Sequence, residues 1–371
     1  MFSTIELNID PNKFLTDVLF FLQQNHISFH ILEISLYSDL RKTRRLEHTY
    51  QVHQADGRIE IKFHRPVLCR IARISFATNG LIVGEKLSYL KPLSRESIIQ
   101  ALKRKKIAFS ICAKDCANEL RVTLARLFEL GKFFSDFRVF LAENDSQDGT
   151  KELLLSLGSY LADRLKVSSF DGIGDLIPSR TARLSSLRNA LQREILKSDY
   201  EPDYLMIVDA DGLIDSVFSL DGVFSCFEYE QAWDGVFPVG DTHYYDIYAL
   251  RHNDLGSDDY INKIFSMDNV LPMEYRSFLA ATIRTLPLKN LDGWLKVDSA
   301  FGGIGLYKWQ TVKDCVYSGL NDGTEICEHV PYNRSICSSG GFLYINPRLV
   351  IKSPESSAIT SLLVQYYSSL K

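Results

Sequence analysis

The chain has 371 residues, 46% of them hydrophobic and 24% charged, with a formal net charge of −4. That balance excludes a disordered or fibrous chain and predicts a globular one with a real core, in one large or two smaller domains. It supplies no overall positive field for nucleic acid, so no nucleic-acid partner is expected, although the local run "LKRKK" could meet phosphates or acidic lipid.

"MFSTIELNID" carries acidic residues where a secretory leader wants basic ones, and no stretch approaches the ~20 apolar residues of a membrane span. "PNKFLTDVLFFLQQN" then reads as a helix. Short alternating runs follow: "FHILEISLYS", "HTYQVHQ", "GRIEIKFHRP" and "CRIARISFATNG". With Asp56-Gly57 and Asn79-Gly80 as turn signals, residues 1–90 are expected to form a small antiparallel β-rich domain. "GRIEIKFHRPVLCRIARISF" loosely resembles the paired strands of a β-sandwich such as a carbohydrate-binding module; sugar binding and a purely structural role both stay open. Residues 91–106, "KPLSRESIIQALKRKK", make a linking helix with Ser94 as N-cap and its basic cluster in the last turn.

From residue 107 to 371 the pattern changes to strand–helix alternation. "IAFSIC", "FRVFLAEND", "RLKVSSF" and "DYLMIVDAD" read as strands, separated by helices over "ANELRVTLARLFELG" (closed by Gly131), "DGTKELLLSLGSYL" and "SRTARLSSLRNALQREILKSD". This predicts an α/β domain with a mostly parallel sheet, whose ligands bind at the carboxyl ends of the strands. Both "AEND" and "VDADG" fall at such ends. The seven cysteines are odd in number and lack zinc-site spacing, which predicts reduced thiols in a cytoplasmic protein, with peripheral membrane contact left open.

Asp209 and Asp211, one residue apart after a buried strand, admit three readings. A calcium-binding EF-hand loop fails, because the glycine comes fourth and the twelfth residue is Leu220. A haloacid-dehalogenase-type phosphatase needs a basic residue before its later acidic motif, and none lies between Asp211 and Asp241. A sugar-nucleotide site fits better. A diphosphate with Mn²⁺ or Mg²⁺ requires few, hard oxygen ligands, and two carboxylates at a strand end can provide them.

Residues 109–346 resemble a GT-A glycosyltransferase, most closely the fungal capsule-associated mannosyltransferases and their relatives. The likeness rests on seven fragments in order: "FSICAKDCANELRVTLARL", "LAENDSQDGT", "RLSSLRNAL", "MIVDADG", "HYYDIYALR", "SAFGGIGLYK" and "CEHVPYN". It implies a metal-dependent transfer of sugar from a nucleotide-diphosphate donor, GDP-mannose or a UDP-sugar, to a glycan or other hydroxyl acceptor. It further implies donor contacts at Ala113, Lys114, Glu143, Asp145, Arg183, Arg188, Asn189 and Asp209, and metal ligation by Asp209, Asp211 and His329. Tyr245, Asp246, Gly302 and Gly303 would face the acceptor, and Asp298 and Glu328 are the catalytic candidates. Adjacent strand residues face opposite ways, so Glu328 and His329 share a site only if their segment is not a strand. Arg180 lies on the helical face of Arg183. Tyr244, Trp294 and Trp309 offer flat surfaces for sugar, with core packing as the ordinary alternative. Two other functions are weighed: a glycan-binding protein on an inactive GT-A scaffold, and a sugar nucleotidyltransferase. The latter needs a glycine-rich loop after its first strand, and "ICAKDCANEL" has no glycine.

Overall fold

A computed structural model describes residues 2–22, 29–37, 45–46, 48–78, 82–161, 163–214, 217–256, 259, 263–264, 266–267, 271–272, 275–276, 279–280, 288, 291 and 293–354. The chain divides into two compact units. One comprises Met1–Leu93 with Glu228–Ala232, and the other Ser94–Phe227 with Trp233–Lys371. The short helix expected as a linker therefore belongs to the second unit.

The first unit contains eight strands: β1 (Phe2–Asn8), β2 (Leu15–Leu22), β3 (Phe29–Tyr37), β4 (Arg45–Leu46), β5 (Tyr50–Ala55), β6 (Arg58–Val67), β7 (Ile71–Thr78) and β8 (Ile82–Tyr89). They form two four-stranded antiparallel sheets, ordered β1-β7-β3-β4 and β5-β6-β2-β8. Ile34, Leu36, Ile74 and Phe76 from one sheet share an apolar cluster with Val18, Phe20, Ile59 and Ile61 from the other, the packing of a β-sandwich. The helix expected over "PNKFLTDVLFFLQQN" is corrected here. Leu15–Leu22 is a strand paired with both β6 and β8. Val18, Phe20 and Leu22 are buried at alternate positions, so the period is two; its near-continuous apolar run hid that period. Asp56-Gly57 does turn with positive φ, joining β5 to β6. Asn79-Gly80 and Gln23 to Asn25 lie outside the described residues.

The second unit opens with α1 (Arg95–Leu102), where the Ser94 side chain accepts a hydrogen bond from the Ser97 amide. Its last turn holds no basic residue; the cluster falls after the helix. Then come β9 (Lys106–Ala113), α2 (Ala117–Gly131), β10 (Asp136–Glu143), α3 (Thr150–Tyr160), β11 (Leu165–Ser169), α4 (Ile173–Leu176), α5 (Arg180–Lys197) and β12 (Tyr204–Asp209). After α6 (Leu220–Phe227) follow β13 (Gly235–Gly240), β14 (Leu295–Val297), β15 (Ile304–Lys308), α7 (Trp309–Val312), β16 (Leu320–Asn321), β17 (Thr324–Glu325), α8 (His329–Ser338) and β18 (Leu343–Ile351). Eight of these strands form one sheet in the order β11-β10-β9-β12-β15-β13-β18-β14. The half from β11 to β12 is parallel, and β15 pairs antiparallel with both β12 and β13.

Alternation along β9 explains the layers. Ala108 joins Phe140, Leu205 and the α5 residues Leu187 and Leu191 in one cluster. Phe109, one residue on, faces the other side, where its ring and that of Phe128 on α2 both meet Phe137. Helices thus cover both faces of the parallel half. Gly131 does not cap α2 with positive φ. It is the last residue of α2, and glycine is required there because a Cβ would lie 2.4 Å from the Phe137 ring.

Another glycine anchors the start of α5. A Cβ on Gly319 would lie 2.1 Å from the carbonyl carbon of Thr181, whose hydroxyl donates to the Gly319 carbonyl at 2.8 Å. Backbone cannot yield as a side chain tip does. Gly319→Ala should therefore destabilise the chain by about 1–3 kcal/mol, the usual range for overpacking, read as a lower urea midpoint.

Candidate active site

Three parallel strands end at the same level. Ala113 of β9 is in register with Glu143 of β10, and Cys112 of β9 with Asp209 of β12. Beyond those ends lies a cleft of about 550 Å³. It brings together ten of the expected residues: Ala113, Lys114, Arg183, Arg188, Asp209, Asp211, Tyr245, Asp246, Glu328 and His329. Open α/β sheets place ligands at this edge, because backbone amides and loop side chains converge there without filling the space.

Arg188 is the centre of the arrangement. It projects from the buried face of α5, donating to Asp209 Oδ1 at 3.0 Å and to Glu328 Oε1 at 2.6 Å. Its other close partner is His329 Nε2. The guanidinium lies 5.1 Å from the Phe301 ring centroid, and the His329 ring stacks on Phe301 at 3.6 Å. Burial pushes the Arg188 pKa down, but Glu328 and Asp209 more than offset it, so the side chain stays charged. Burial also lowers the pKa of His329 well below its usual value, with Arg188 acting in the same direction, so the ring is neutral. Its Nε2 lone pair faces Arg188. Glu328 and His329 reach one point because Glu328 has helical dihedrals and His329 begins α8, satisfying the condition that they not lie on a strand.

Burial lifts Asp209 to about 7 against the pull of Arg188, and Asp211, Asp246 and Glu328 push it further up. Asp211 is exposed at the cleft. Asp246 accepts from the Gly302 amide at 2.8 Å and the Ala249 amide at 3.3 Å. Among the described residues, no three histidine, cysteine, aspartate or glutamate side chains are grouped to hold an ion. The hard oxygens of Asp209 and Asp211 nevertheless suit a cation that completes its shell with substrate phosphates. Burial is the main cause of the Asp209 shift, and the carboxylates of Asp211, Asp246 and Glu328 add to it, so several carboxylates face the place where such a cation would sit.

The remaining expected residues do not line the cleft. Glu143 is buried, accepting from the Ser146 amide at 3.0 Å and the Ser169 hydroxyl at 2.9 Å. Asp145, at φ 52°, accepts from the amides of Gly172 and Gly174, and these bonds hold its pKa below the ordinary value. Both side chains of the "END" turn thus tie loops together. Asn189 clamps Tyr317, donating to its carbonyl and accepting from its amide, each at 2.9 Å. Asp298 follows β14, at the far edge of the sheet from β11. Gly302 and Gly303 both have positive φ, and a Cβ on Gly303 would lie 2.2 Å from Leu213 and 2.9 Å from the Tyr245 hydroxyl. They shape the support of the cleft rather than its surface. Tyr244 and Trp309 are buried in the core, and Trp294 packs edge-on against Tyr344, 6.0 Å between ring centroids.

Asp148, in the turn after β10, ties two helices together. It accepts from the Thr150 amide at 3.0 Å and from the Ala117 amide at 3.0 Å, serving the first turns of α3 and α2 together. Arg183 lines the cleft but donates to the carbonyls of Ile177 and Pro178. The exposed cleft cations without an ion-pair partner among the described residues are Lys114 and Arg180. Arg180 shared a predicted helical face with Arg183, and only the contacts separate them. Phe301, Tyr248 and Cys112 also line the cleft; each lies inside one of the seven quoted fragments, but none was singled out there as a site residue.

No family model and no curated protein sequence matches the chain. Solved structures overlap it more loosely. A mannosyltransferase from Pyrobaculum calidifontis in complex with GDP-Man and Mn²⁺ aligns at 11% identity and a TM-score of 0.40, covering 72% of this chain and 64% of its own. A glucosyl-3-phosphoglycerate synthase from Mycobacterium tuberculosis, in complex with Mn²⁺, UDP and phosphoglyceric acid, aligns at 9% identity and 0.38, covering 72% and 77%. The Staphylococcus aureus protein TarS, residues 1–349, aligns at 10% and 0.35, covering 66% and 59%. Likeness at this level leaves the chemistry to the chain's own residues. Among the described residues, no helix is long and apolar enough to cross a membrane.

Proposed function

We propose that the chain is a metal-dependent glycosyltransferase of the GT-A type, moving a sugar from a nucleotide-diphosphate donor to a hydroxyl acceptor. The observation that carries this reading is the pairing, in one cleft at the parallel strand ends, of the Asp209/Asp211 carboxylates with the exposed cations Lys114 and Arg180. A bare carboxylate pair would repel a diphosphate, and bare cations would bind any anion. Together they suit a diphosphate that arrives with a divalent ion.

Asp209 and Asp211 would hold that Mn²⁺ or Mg²⁺, which supplies charge neutralisation for the departing diphosphate. Lys114 and Arg180 bind phosphate oxygens, Arg180 as a planar fork. Arg188 keeps Asp209 and Glu328 in place by donating to both, and His329 serves as the neutral acceptor that fixes Arg188. Asp246, with its carboxylate steadied by two amides and its pKa raised by burial, is suited to meet the acceptor hydroxyl. The resemblance to capsule-associated mannosyltransferases suggests GDP-mannose, with UDP-sugars as the other donor class.

The test is titration of GDP-mannose and of UDP-sugars against Mn²⁺, following nucleotide release. Release should need the metal and stop with chelator. Arg180→Ala should raise the donor KM by roughly 10-fold or more, the scale of one lost charge-assisted contact. Sugar binding without nucleotide release from any donor would instead establish a glycan-binding protein.

A further inference from the structure

A second cavity, of about 1040 Å³, lies in the same unit as the cleft and shares none of its lining residues. Among the described residues, three cations line it, Arg251, Lys263 and Arg334, against the one carboxylate of Asp259. Arg251 is buried, and donates to the carbonyls of Tyr248 at 3.0 Å and Leu250 at 2.8 Å. Its ion pair with Asp259 is long, at 3.7 Å. Neither Lys263 nor Arg334 has an ion-pair partner among the described residues. Ser335 and Ser338 sit on the wall beside Arg334, one helical turn from it or less along α8.

We infer that this cavity is an anion-binding site, separate from the cleft, for the phosphoryl group of a small molecule. The physical reason is charge balance. Among the described residues, a buried guanidinium with one distant carboxylate is poorly compensated, and the other cations lining the cavity add like charge rather than compensation. Burial lowers the Arg251 pKa, and Arg334 acts in the same direction. A bound oxyanion removes both costs at once, accepting from several donors in the manner of arginine–phosphate pairs. The volume suits a ligand larger than phosphate alone. Nothing in this inference depends on the sugar-transfer reading.

Calorimetric titration of the full chain carrying Lys114→Ala and Arg180→Ala isolates this cavity, because those changes remove the exposed cations of the cleft. Inorganic phosphate and glycerol phosphate are the probes, and tighter binding of the ester assigns the site to phosphorylated small molecules over free phosphate. Saturable binding of either is expected. Adding Arg334→Glu with Lys263→Glu should weaken it at least ~10-fold, whereas Arg334→Lys should retain most of it. If the charge reversals compromise folding, Arg334→Gln alone replaces them, since that side chain is exposed. Absence of saturable binding in the cleft-deleted background overturns the inference, as does binding that ignores Arg334 and Lys263.

Discussion

Arg188→Met should cost the second unit about 3–5 kcal/mol, because it leaves buried carboxylate charge unpaired. Arg188 ties α5 to the end of β12 through Asp209 and to the start of α8 through Glu328, and both it and Glu328 are buried. Methionine approximates the volume but supplies no donor. Urea denaturation measures the loss directly. Adding Glu328→Gln to Arg188→Met removes a charge that the first change stranded, and should recover part of it. Arg188→Lys keeps the charge but loses the fork that reaches Asp209 and Glu328 together, so it should fall between. A loss under about 1 kcal/mol for Arg188→Met would mean that the network contributes no more than a surface pair.

Asp211→Asn should reduce metal-dependent nucleotide release by at least ~100-fold, the scale on which removal of an electrostatic group at the reacting centre is felt. The amide is nearly isosteric but neutral, and a weak ligand for a hard divalent ion. Asp211 is exposed, so the fold should tolerate the exchange, with thermal unfolding within about 0.5 kcal/mol of the parent. Kinetics as a function of Mn²⁺ separate the possible causes. A lost metal ligand raises the metal requirement, whereas a lost turn changes stability and leaves that requirement alone. Activity close to that of the parent would sink the proposed metal role.

The two expected effects differ in how visible they were in the sequence. Asp211 belongs to a local pattern: a run of apolar residues, two aspartates and a glycine, which marks a buried strand and its exposed end without reference to the rest of the chain. The parallel half of the sheet was readable for the same reason, since β9, α2, β10, α3, β11, α5 and β12 each show their own period within a few residues. Ser94 as a cap and the turn at Asp56-Gly57 were equally local.

What the sequence by itself determined, then, was the alternation that builds the parallel half and the strand end that carries the aspartates. Tertiary structure decided the rest, because the partners are remote. Arg188 and Glu328 are separated by 140 positions, and nothing near either one announces the other. The same remoteness turned Asn189 toward Tyr317, 128 positions away, whereas Arg183 is held by the nearby carbonyls of Ile177 and Pro178, leaving Arg180 exposed in the cleft without an ion-pair partner among the described residues. It also decided β2, whose apolar run satisfied both periods until β6 and β8 bonded to its two edges. Local periodicity reports which face of an element is apolar; only packing determines which polar groups are left to meet a ligand.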